Sequence, residues 1–78
     1  MGKYMNTQTI VQSPAEIGHA IRAARKKQKL TLVQCAAANG VSVRFLSELE
    51  RGKPGAAVGT TLKLARSVGL RLVVEDAS

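Results

Sequence analysis

The chain has 78 residues, enough for one domain and too few for two, and a chain this short buries only roughly 60% of its unfolded surface on folding. Its one cysteine, Cys35, cannot form an internal disulfide and fits a reducing compartment, and no residue set has metal-ligand spacing, so oligomerisation is the expected source of extra stability. Twelve Lys and Arg against five Asp and Glu give a formal charge of +7, which suits a polyanionic partner and equally a merely soluble domain, while the lack of a membrane-length apolar run or a secretory signal makes a soluble, cytoplasmic chain with no membrane partner the expectation.

Residues 1–12 show no helical period; 9–12 read as a short extended piece carrying Ile10 and Val11, and the first few residues are expected to be mobile. Ser13-Pro14-Ala15-Glu16 then combines a Ser N-cap, a Pro at the first helical position and a Glu placed to close a capping box. Helix 1 starts there and should end near Lys27 or Gln28, with Ile17, Ala20, Ile21, Ala24 and Gln28 on one face and Arg22, Lys26 and Lys29 turned away. Thr31-Leu32-Val33-Gln34 repeats the capping-box pattern and opens a short helix 2 running to Asn39, with Gly40 as the left-handed residue after it. Ser42 caps a third helix from Val43 to Glu50 or Arg51, whose inward face is Val43, Leu46 and Leu49. Gly52-Lys53-Pro54-Gly55 stops it. Val58, Thr61, Leu62, Ala65 and Val68 fall at helical spacing in a helix 4 or 5 that Gly69 ends, and Leu70, Leu72 and Val74 then alternate with Arg71, Val73 and Glu75 at strand period. The expected division is an N-terminal extension over 1–12, a helical domain over 13–69 and a strand with tail over 70–78.

Helices 2 and 3 are joined by Gly40, Val41 and Ser42 alone, a turn so short that the helices must cross steeply and nearly touch. Small Ala36 permits the approach, Gly40 the turn, and Cys35, Val41, Leu46 and Leu49 supply the apolar contacts, which together are the spacing of a helix-turn-helix. With Leu46 at the centre of the buried face, a rotation of about 100° per residue puts Arg44, Glu48 and Arg51 on the opposite side, flanked by Phe45 and Ser47. In a helix-turn-helix that face enters the major groove, where Arg holds guanine and Glu accepts from cytosine N4. The candidate base-reading residues are Val43, Arg44, Ser47 and Glu48, with Arg44 first; Arg44 and Glu48 are also spaced for a surface ion pair, and the two readings are compatible. Arg22, Lys26 and Lys29 suit either phosphate contact or a solvated face, and His19 reads as a helix-surface residue.

LTLVQCAAANGVS over 30–42, VRFLSELERGKP after it, the start SPAEIGHAIRAARKKQ and the ending ARSVGLRLVV resemble Xre-type regulators, which include phage repressors, and within them HipB-type antitoxins. The resemblance covers about residues 13–74. It implies a repressor that is a homodimer, represses its own operon and binds a HipA-like kinase toxin encoded beside it; a free-standing regulator of the same type is the alternative. It also implies a structural ion pair between Arg25 and Glu50, and a loop after the third helix, with Arg51 and Lys53, lying along the DNA backbone. Thr31, Ser42 and Phe45 complete the candidate backbone contacts. Leu32 departs from the family, which commonly has a phosphate-holding Gln there, and Cys35 stands where Leu is usual.

No nucleophile and base, acid pair, Gly-rich phosphate loop or metal cluster points to an enzyme, a catalytic site or a cofactor. A reader of single-stranded RNA would need stacking platforms, and Tyr4 and Phe45 are the only aromatics; a pure protein-interaction module would show no sequence preference on DNA. The expected architecture is mainly α, a four- to five-helix bundle of the phage-repressor type with a C-terminal β-strand used in dimerisation. A lone strand leaves its backbone groups unpaired; residues 9–12 offer a partner of only four residues, so pairing with a second copy is the stronger expectation, with Leu70, Leu72 and Val74 at a two-fold interface that sets two recognition helices about 34 Å apart on an inverted-repeat operator.

Overall fold

Four helices form among residues 8–76, which the computed structural model describes: α1 (Pro14–Lys27), α2 (Leu32–Asn39), α3 (Val43–Glu50) and α4 (Val58–Ser67). The first few residues expected to be mobile, and the last two residues of the tail, lie outside this range.

Local signals start the first three helices. Ser13 Oγ accepts from the Glu16 amide at 3.2 Å, Thr31 and Gln34 close a full capping box, and Ser42 Oγ accepts from the Phe45 amide at 2.9 Å. The box expected at α1 is displaced by one residue, because the Glu16 carboxylate accepts from the amide of Gln12, ahead of the cap. Helix α4 begins at Ala57 with no side-chain cap.

All four helices end in the same pair of backbone bonds, the Schellman arrangement, in which the residue after the left-handed one reaches back five positions. Leu30 donates to Arg25 O at 3.1 Å, Val41 to Ala36 O at 3.0 Å, Lys53 to Glu48 O at 3.0 Å and Leu70 to Ala65 O at 2.9 Å. The motif needs a left-handed residue, and Gly40, Gly52 and Gly69 fill that place in three helices. In the fourth it is Lys29, at φ 60°, the one described non-glycine residue with positive φ.

The core is built from Ile21 of α1, Cys35 and Ala36 of α2, Leu46 and Leu49 of α3, and Leu64, Ala65 and Val68 of α4 and its end. Gly18 sets the distance between α1 and α3: a Cβ there would stand 2.1 Å from Leu49 O, so only a glycine lets the α1 backbone rest on the end of α3. Two polar contacts fix α4: Gln28 Nε2 donates to Val68 O at 2.8 Å, and buried Asn39 Nδ2 donates to Ser67 Oγ at 3.0 Å and to Cys35 O at 2.9 Å.

Three expectations need correction. The buried face of α4 is Leu64, Ala65 and Val68; of the residues read at helical spacing, Ala65 and Val68 are inside, while Val58 and Leu62 are 73% and 39% exposed. Two apolar stripes overlap on this helix, and packing on α2 selects the one that includes Leu64. Val43, expected inward, is 41% exposed, since it sits on the first turn of α3, ahead of the Leu46–Leu49 contact. The strand expected over 70–75 is not formed: 71–76 are without regular secondary structure and none of their backbone groups bonds another described residue, because one strand has no ladder without a second.

Candidate nucleic-acid interface

The turn between α2 and α3 holds Gly40 at φ 68°, and Val41 closes it by folding under α2. Ala36, 1% exposed, lies in the α2–α3 crossing, and Leu46 and Leu49 fasten α3 from below, so the opposite side of α3 is left to solvent. Arg44 stands there with 87% of its side chain exposed, Val43 is exposed beside it, and Ser47 and Glu48 are half-buried on the flank. Val43, Arg44, Ser47 and Glu48 are therefore together on one outer surface. Thr31 and Ser42 stand at the N-termini of α2 and α3, where each hydroxyl oxygen accepts a backbone amide and keeps its own proton to donate. Phe45 is different: it is half-buried against the core.

Glu48 is bracketed by two cations. Its Oε2 takes a long contact of 3.4 Å from Arg44 Nε, and its Oε1 accepts from Lys53 Nζ at 3.3 Å. The bond from Lys53, and then that from Arg44, holds the Glu48 carboxyl below the usual carboxylate range. Lys53 reaches it because Gly52, at φ 93°, turns the chain back over the end of α3; a Cβ on Gly52 would also stand 2.7 Å from the Ala15 backbone. The Arg44–Glu48 spacing was visible in the sequence, whereas the Lys53 contact spans a helix end and has no periodic signal. Arg51, Arg22, Lys26 and Lys29 are exposed and make no ion pair with a described residue.

Beneath this surface Arg25 and Glu50 meet in the interior. Arg25 Nε donates to Glu50 Oε2 at 2.7 Å and Nη2 to Oε1 at 3.0 Å, while Nη1 donates to the Leu30 carbonyl at 2.7 Å. The two side chains are 7% and 4% exposed. One guanidinium thus ties α1, the end of α3 and the turn leading into α2, and the paired carboxylate keeps it firmly protonated. Among the described residues no group of three His, Cys, Asp or Glu side chains is placed to hold a metal, and no helix is long and apolar enough to cross a membrane.

This geometry, two short helices in a tight turn with a polar outer face on the second, is matched by a family model for the helix-turn-helix over residues 21–73. The chain belongs to the helix-turn-helix family. A relative in Sinorhizobium fredii, the uncharacterized HTH-type transcriptional regulator y4mF, is 39% identical over 59 residues, which cover 76% of this chain and 78% of the relative. The fold recurs in a chain of the HipA-HipB-O2-O3 complex, with TM-score 0.79 and 20% identity over 91% of this chain and 100% of that one. A structure described as MDT protein matches with TM-score 0.79 at 21% identity and the same coverage. This helix-turn-helix protein is accordingly a DNA-binding transcription regulator, a class that is not enzymatic.

Proposed function

We propose that this helix-turn-helix regulator is a homodimeric repressor of an inverted-repeat operator, in which α3 reads bases through Val43, Arg44, Ser47 and Glu48. Thr31, Ser42, Arg51 and Lys53 hold the phosphate backbone at its edges, with Phe45 beside them. The observation that carries the reading is the two-sidedness of α3: Leu46 and Leu49 are 0% and 5% exposed, while the Arg44 side chain on the other side is 87% exposed. A guanidinium free of the protein interior and mounted on a fixed helix is what bidentate readout of guanine requires. Residues 13–69 carry this function, and 70–78 carry dimerisation.

Dimerisation is supported by apolar surface that the described residues leave exposed. Val58, Leu62 and Leu72 line one cleft together with Pro14 and Ile17, and Val73 and Val74 are 59% and 99% exposed. A small domain gains from covering such a patch with a second copy of itself.

In this reading the repressor is the antitoxin of a HipA-like kinase, supported by the sequence likeness to HipB-type proteins and by the shared fold with a chain of the HipA-HipB-O2-O3 complex. The 39% identical relative, described as a transcriptional regulator only, favours a free-standing regulator instead. Selection of bound duplexes from a randomised pool tests the operator: the outcome expected is one inverted repeat with half-site centres about 34 Å apart, and enrichment of no sequence would overturn the repressor. Co-expression with a kinase encoded beside the gene separates the two regulators, since only an antitoxin co-purifies with it and restores growth.

A further inference from the structure

Arg71 and Glu75 flank the uncovered apolar segment four residues apart, so at strand period they share a face with Val73 between them. The other face carries Leu70, which packs on the core, Leu72, which lines the cleft with Val58 and Leu62, and Val74, which is 99% exposed. Resting on the dimer proposed above, we infer that the two copies pair these segments antiparallel about a two-fold axis through Val73, each Arg71 facing the second copy's Glu75.

The register follows from what each alternative places opposite what. Antiparallel strands bring directly opposed side chains together on one face, and opposed unlike charges or apolar pairs stabilise the pairing. With the axis through Val73, Arg71 faces Glu75 twice, Leu72 faces Val74 twice, Val73 faces itself, and at the ends of the paired segment Leu70 faces Asp76. Moving the axis to Leu72 sets Arg71 against Val73 and Glu75 against Gly69; moving it to Val74 sets Glu75 against Val73 and Leu72 against Asp76. Only the first arrangement matches both charges and apolar groups within 71–75; Leu70, at its end, already packs on its own core. It also covers Val74, which comes to lie beside the second copy's Leu72 at the edge of that copy's Val58–Leu62 cleft.

Crosslinking and charge exchange in the full chain test this register. Directly opposed residues lie within disulfide reach, so Val73→Cys is expected to give a disulfide-linked dimer on mild oxidation. Leu72→Cys and Val74→Cys should crosslink efficiently only when mixed, and wild-type protein not at all, because Cys35 is 2% exposed. Arg71→Glu and Glu75→Arg should each weaken the homodimer about tenfold, since each sets like charges opposite one another twice. Mixed in equal amounts, they should recover wild-type affinity as a heterodimer with both pairs restored. Circular dichroism checks that every variant keeps its helices. A wild-type dimer in sedimentation whose Val73→Cys variant stays unlinked, or whose two charge variants fail to rescue each other, would overturn the register alone. A monomeric wild-type chain would overturn the dimer itself.

Discussion

Arg25 grips Glu50 through two parallel hydrogen bonds inside the protein, 25 residues apart in sequence and both almost sealed from water. The pair fixes where the end of α3 sits on α1, and therefore how α3 presents its outer face. Removing one partner leaves the other charge buried and uncompensated, which costs about 3–5 kcal/mol. Arg25→Ala should lower stability by that order in urea unfolding, and the fraction that remains folded should bind DNA with little loss of intrinsic affinity. Arg25→Met combined with Glu50→Leu should cost far less than either single truncation, because no charge is then stranded.

Lys29 holds a left-handed conformation that costs an ordinary L-residue about 1–2 kcal/mol, in a motif where the other three helices use glycine. Lys29→Gly should raise stability by about 1 kcal/mol, the relief being partly offset by the greater freedom of glycine in the unfolded chain. A melting temperature higher by about 4 °C is the expected reading, with no rise for Lys29→Ala.

Helix starts and the turn between α2 and α3 were legible in the sequence because caps and left-handed glycines act within four or five residues. Ser13, Thr31, Ser42 and Gly40 each do their work locally. Features set by packing were not. Gly18 looks like any glycine in a helix until Leu49 O is found against it, and the rotation of α4 depends on which of two apolar stripes meets α2. Lys29 defeats the rule that marks helix ends by glycine. The Arg25–Glu50 contact came from family resemblance, since helical spacing alone does not join two residues on different helices. The outer face of α3 was readable as a face, but the grip of Lys53 on Glu48 depends on the turn at Gly52.

Burial pushes the Cys35 thiol above its ordinary value of 9.0, so between that value and its raised one the unfolded chain loses a proton that the folded chain keeps. Stability from this group is therefore complete below pH 9.0 and declines as pH rises through that window, by up to about 1.4 kcal/mol per pH unit. Urea unfolding of wild type and Cys35→Ala at pH 8 and pH 10 isolates the effect, since the two proteins differ in this group alone. The wild type should lose more stability than the variant between the two conditions.

Glu48, ionised at neutral pH, restrains Arg44 and Lys53. Glu48→Gln should release both cations, raising affinity for random duplex and steepening the dependence of log affinity on log salt by up to about 0.9 per cation that gains a phosphate. Discrimination at one base pair should fall by about 1–3 kcal/mol if the carboxylate accepts from cytosine. Salt titrations on operator and random duplex measure both effects.

In the proposed complex α3 reads bases through the Arg44 guanidinium, which the buried face of the helix holds out to solvent. Selection from randomised duplexes, run in parallel with wild type, Arg44→Ala and Lys53→Ala at one salt concentration, tests this most directly. Arg44→Ala should lose about 1–3 kcal/mol on the wild-type site and relax preference at a single base pair in each half-site, while Lys53→Ala weakens all duplexes alike. An Arg44→Ala protein that selects the wild-type sequence with undiminished affinity would contradict it.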